Sequence, residues 1–275
     1  MKLNKLYQAK HELWLKVLFT SFAVSDEKIK SELYEIACME YRHLKWLSNK
    51  LKEENIEYDY DRYAIEIEKN TNFEYFTYLI SEIQLLMKEY NPDEVLSARM
   101  LSDEFHFVTR LTRLLNDKQN DAEITAFNKE RIYENKDLNK TSTDALTIFL
   151  FEETYKEYEL IFVYSYMQNY TNSTTLYNVY QDLIDESQYH LKCFGNMLSK
   201  MGILAIPRTL IKEIYKREDI KQFLLDGIEE EKAAKEECVK LARAVKDEEL
   251  SKFFEFINFQ ENYHIELMQK AIKIL

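Results

Sequence analysis

Glu231-Lys232-Ala233-Ala234 opens a run that passes Cys238 and Leu241, reaches a polar break at Lys246-Asp247-Glu248, and continues to Glu261-Asn262-Tyr263-His264. After the break, Phe254, Ile257, Glu261, His264, Ile265 and Met268 recur at helical spacing, so a carboxylate and an imidazole stand inside an apolar stripe. Before the break, Leu224, Ile228, Glu231, Ala234, Cys238 and Leu241 repeat the pattern with Glu231 inside it. Ionised groups do not belong on a stripe that faces a core unless something there neutralises them. Glu231 and Glu261 are equidistant from position 246, so two helices folded back at the break bring them to the same height.

The rest of the chain has the material for such helices. Its 275 residues are 46% hydrophobic and include only 3 Gly and 2 Pro, which points to helices in one or two domains. A net charge of −12 leaves no basic face for nucleic acid or an anionic membrane surface. Met1-Lys-Leu-Asn-Lys-Leu leads straight into an amphipathic pattern, and no apolar run reaches membrane-spanning length, so a cytoplasmic, membrane-free protein is expected. Cys38, Cys193 and Cys238 are odd in number and form no CxxC, the pattern of reduced thiols packed as small hydrophobes.

Periodicity predicts an all-α chain with helices over 4–23, 27–54, 70–90, 93–116, 143–169, 173–201, 208–244 with a break near Gly227, and 248–274. Residues 119–142 hold the most polar stretch and read as a linker between a domain over 1–118 and another over 143–275. The halves also resemble each other. A shift of 147 lays Glu12-Leu13 on Glu159-Leu160 and His43-Leu44-Lys45 on His190-Leu191-Lys192.

Four of the 5 histidines follow a carboxylate by one turn: Glu40/His43, Asp103/His106, Glu186/His190 and Glu261/His264. The other helices supply carboxylates at mirror positions about the breaks. Glu12 and Glu40 centre on Asp26, Glu82 and Asp103 on Pro92-Asp93, and Glu159 and Ser187 on Ser173. At about 1.5 Å per residue the first pair lies roughly 20 Å from its turn, near mid-helix. One Glu from each of two helices with a Glu-x-x-His from each of two more is the ligand pattern of a dinuclear carboxylate centre.

In these residues the chain resembles the ferritin-like superfamily. The Glu231-Lys-Ala-Ala to Glu261-Asn-Tyr-His264 half is most similar to rubrerythrin-type bundles, and a fainter likeness extends over both halves. The resemblance implies two tandem ferritin-like four-helix bundles, each able to hold two Fe or two Mn. It implies a first site of Glu12, Glu40, His43, Glu82, Asp103 and His106, and a second of Glu159, Glu186, His190, Glu231, Glu261 and His264. Two positions depart from the family: Asp103 has a shorter arm than Glu, with neighbouring Glu104 or neither as the alternative ligand, and Ser187 stands three before His190, with Glu186 about 100° around the helix. The second set therefore reads as a single-ion site, a weak one, or one using Ser187 with a water.

The function implied is an oxidoreductase in which the metal meets O2 or peroxide, with electrons from a separate donor or the substrate because the chain has no CxxC pair. Two alternatives stand beside it: an iron-handling, ferroxidase-like protein with the same ligands, and a metal-free structural or interaction protein on the same scaffold. The inward faces offer few Lys or Arg to neutralise the carboxylates. His11, beside Glu12, reads as a surface residue, and the aromatics before the histidines (Phe105, Tyr189, Tyr263) read mostly as packing. Monomer and homodimer are equally open.

Overall fold

The computed structural model describes residues 2–57, 59–61, 65–116, 124, 126–127, 133 and 136–275, and these are helical with no strand among them. The chain divides into two compact units, residues 1–127 with 206–208, and residues 128–205 with 209–275. Much of the expected 119–142 linker lies outside the described residues, and its last three residues already belong to a helix.

In the first unit, α1 (Leu3–Ala23) pairs with α2 (Glu27–Glu53) and α3 (Asn72–Met87) with α4 (Val95–Asn116); α1 also packs on α3 and α2 on α4. The break between α1 and α2 is made by Asp26, whose carboxylate accepts from the Lys28 and Ile29 backbone N–H groups, both at 2.9 Å. That satisfies two of the donors a helix start leaves unpaired. Between α2 and α3 the chain buries Tyr60 and Ile67.

The second unit has the same plan. Its α5 (Lys140–Tyr170) pairs with α6 (Thr174–Lys200), and α8 (Ile220–Val245) with α9 (Glu248–Ile274). Further contacts join α5 to α8, α6 to α9, and α5 to the single turn α7 (Lys212–Tyr215). Ser173 caps α6 through the Leu176 N–H at 3.3 Å, and Asp247 caps α9 through Leu250 N–H at 3.0 Å. Lys246, just before that cap, adopts the left-handed conformation with φ 53°. The core beside this turn joins Leu146, Phe149, Phe194, Cys238, Leu241, Phe254 and Ile257.

The segment expected over 208–244 is interrupted between α7 and α8 rather than near Gly227, which is helical. Gly227 has a packing reason: a Cβ there would lie 3.1 Å from Met268 Sδ, so its absence lets α9 approach α8. No described helix is long and apolar enough to cross a membrane.

Candidate metal centre

Midway along the second unit, each of its four long helices turns an ionisable side chain inward. α5 supplies Glu157, α6 His190 with Ser187 one turn before it, α8 Glu231, and α9 Glu261 and His264; none is more than 2% exposed. Apolar residues flank this layer along each helix, including Ile161 on α5, Leu191 on α6, Ile228 on α8 and Ile257 on α9.

The group is tightly convergent. His190 Nδ1 lies 3.0 Å from Glu157 Oε1 and 3.5 Å from Glu261 Oε1, and His264 Nδ1 lies 3.4 Å from Glu261 Oε2 and 3.8 Å from Glu231 Oε1. Lys156 on α5 reaches Glu231 Oε1 at 2.9 Å. Burial would raise the Glu231 carboxyl, but Lys156, His264 and Glu261 together outweigh it and hold Glu231 down at about 2. Glu261 is pushed well above the usual carboxylate range by burial and by the charge of Glu231. Burial alone would lower His190, but Glu157 carries it up to about 9. Buried Tyr164 stands 6.2 Å, ring to ring, from His264, and burial pushes its hydroxyl pKa up.

Several buried polar atoms here find no hydrogen-bond partner among the described residues: both ring nitrogens of His264, Nε2 of His190, Oγ of Ser187 and Oε2 of Glu157. Buried polar groups are ordinarily satisfied, each orphan costing roughly 1–3 kcal/mol. So many in one layer, beside three carboxylates with one nearby ammonium, is a donor set suited to a cation. Imidazole and carboxylate together suit Fe or Mn.

The first unit builds its corresponding layer differently. Lys10, Glu40, His43 and Glu104 are fully buried there. Lys10 Nζ donates to Glu40 Oε2, and to Glu104 Oε1 at 2.5 Å. Tyr90 OH donates to Glu104 Oε1 at 3.0 Å. Lys10 stands 147 positions before Glu157, as His43 does before His190, so an ammonium takes the place of a carboxylate. Phe107, 157 positions before His264 as Glu104 is before Glu261, is fully buried with its ring 6.2 Å from His43. Glu40, His43 and Glu104 lie close enough to share one ion. Lys10 takes one oxygen of each carboxylate, while Glu40 Oε1, Glu104 Oε2 and His43 Nδ1 find no hydrogen-bond partner among the described residues. Burial would lower the Lys10 ammonium, yet Glu104 and Glu40 outweigh it and raise it, while burial and Glu40 push Glu104 up to about 8. An ion here would have to compete with the Lys10 ammonium for Glu40 and Glu104.

Of the twelve residues expected as ligands, His190, Glu231, Glu261 and His264 meet in the second unit, and Glu40 and His43 meet in the first. The others stand elsewhere. Glu12 and Glu159 are half-buried two residues past the inward Lys10 and Glu157, and Glu186 is half-buried beside the inward Ser187. Glu82 pairs with Lys16. Asp103 is buried but faces His43 Nε2 at 3.0 Å and pairs with Arg99, while His106 is exposed.

The few inward cations expected are buried Lys10 and half-buried Lys156, and His11 is buried against Trp14 rather than on the surface. Phe105, Tyr189 and Tyr263 are exposed, and of the cysteines only Cys238 is buried. Glu157 was within reach of sequence reading. Paired with Ser187 it centres on position 172, inside the same break as Glu159 does, so the mirror argument could not separate the two. No family model, characterised protein or solved structure matches the chain.

Proposed function

We propose that the second unit is a ferritin-like four-helix bundle that binds Fe or Mn in the layer lined by Glu157, His190, Glu231, Glu261 and His264 and acts as an oxidoreductase on O2 or peroxide. The observation that carries this reading is the set of buried, unpartnered nitrogens and oxygens converging from four helices. Bound Fe or Mn would supply a Lewis acid and a one-electron redox centre. The chain's own part is to neutralise and orient. Glu157 fixes the His190 ring through Nδ1, Glu261 lies between both imidazoles, and Lys156 holds Glu231 ionised. The apolar layers on either side limit water and stray reactions.

The first unit is read as a bundle of the same plan whose centre is closed by Lys10, which gives it a metal-free, structural role. Electrons then come from a separate donor or from the substrate.

The test is metal content after anaerobic loading with Fe(II) or Mn(II) and desalting. The protein is expected to retain metal, His43→Asn to retain as much, and His264→Ala to bind more weakly by over about 100-fold, beyond what changes outside the ligand sphere cost. A wild-type protein that retains none overturns the proposal.

A further inference from the structure

Resting on that reading, we infer that the centre in the second unit is mononuclear: one Fe(II) held by His190, His264 and Glu261, with Lys156 and Ser187 having removed the provision for a second ion. Ligand atoms of these three residues lie within 4.8 Å of one another. Around one ion with bonds of about 2.1 Å, neighbouring ligand atoms stand about 3 Å apart and opposite ones about 4.2 Å, so a small inward adjustment of these side chains would let one ion take all three. Two imidazoles and one carboxylate on one face of an ion form the triad of non-haem Fe(II) oxygenases, with the remaining positions open to O2 and an organic substrate.

Charge separates this arrangement from a dinuclear one. A pair of divalent ions in a helical bundle is matched by four carboxylates, two of them from Glu-x-x-His motifs. Here Ser187 replaces one of those four, leaving Glu157, Glu231 and Glu261. The Lys156 ammonium, 2.9 Å from Glu231 Oε1, offsets one more charge. The three fully buried carboxylates and the ammonium match a single divalent ion, with half-buried Glu153, one turn before Lys156, the other carboxylate nearby. A second ion would have fewer buried charges to match it. The second ion would also lack donors, since Glu231 is engaged by Lys156 and Ser187 offers only a hydroxyl. His264, fully buried with both ring nitrogens unpartnered among the described residues, is the independent sign that this layer is built for a ligand.

The experiment is anaerobic titration with Fe(II) and, separately, Mn(II), followed by ion counting and electron paramagnetic resonance of the Mn(II) form. The intact chain is expected to take up one ion and show the hyperfine pattern of isolated Mn(II). The double variant Ser187→Glu/Lys156→Gln restores the fourth carboxylate and removes the ammonium, and is expected to take up two ions with the closer-spaced pattern of a coupled pair. Lys156→Gln alone, with helicity followed by circular dichroism, guards against misfolding of the double variant. Its release of Glu231 is expected to weaken the preference for one ion over two. Two coupled ions in the intact chain would overturn the mononuclear assignment and leave the metal reading standing, and no ion at all would overturn both. A folded double variant that still binds a single ion would overturn the roles given to Ser187 and Lys156.

Discussion

Lys10 and Glu157 occupy the same place in the repeat and send their units to different ends. In the first unit the Lys10 ammonium lies between Glu40 and Glu104, so each charge has a partner. Lys10→Met would leave the Glu40 carboxylate buried without a counter-charge and Glu104 without its ammonium partner, and it is expected to destabilise the first unit by about 3–5 kcal/mol in chemical denaturation. The same triad predicts a pH dependence. Glu104 has a folded pKa of about 8 against an ordinary value of 4.5, so between these the folded unit holds a proton that the unfolded chain gives up. Stability from this group is fully present below about pH 4.5 and is lost as pH rises toward 8. Glu104→Gln, which cannot ionise, is expected to flatten that decline in melting temperature measured across the same range. An unchanged slope would show that another group sets it.

At the level of helices, the hairpin breaks place the inward layer, and they are set by short-range chemistry. Asp26→Ala removes the cap from α2 and is expected to lower stability by about 1 kcal/mol, read from the denaturation midpoint. Lys246, at φ 53° in the turn that brings Glu231 opposite Glu261, holds a conformation that costs a non-glycine residue roughly 1 kcal/mol. Lys246→Gly is expected to raise stability by about 0.5–1 kcal/mol without changing metal uptake, measured by calorimetry and ion counting. A loss of stability would mean that the greater freedom of the unfolded glycine outweighs the relieved strain. Two of the helices whose inward residue differs from the expected one, α1 and α5, share a property. Both are buried over most of their circumference: α1 hides Lys10, His11, Trp14 and Val17, and α5 hides Glu157, Tyr158, Ile161, Val163 and Tyr164. A helix apolar on every side offers no stripe from which to choose its inward face.

For the whole molecule, two units with unlike centres should respond unequally to metal. A ligand that binds only the folded state stabilises by about 2.7 kcal/mol at a hundredfold excess over its dissociation constant. Scanning calorimetry with Fe(II) or Mn(II) present is therefore expected to raise one melting transition and leave the other in place, with the shift abolished in His264→Ala. Equal shifts of both transitions would mean that the first unit binds metal despite Lys10. By itself the sequence determined the helices, the hairpin breaks at Asp26, Ser173 and Asp247, and the inward placing of His190, Glu231, Glu261 and His264, because amphipathic periodicity and capping chemistry act over a few residues. Only the tertiary structure decided that Lys10 rather than Glu12 and Glu157 rather than Glu159 turn inward, and that Glu104 reaches Lys10 while Asp103 reaches His43. One residue turns a helix by about 100°, and which carboxylate meets its partner depends on how helices distant in sequence are rotated against one another.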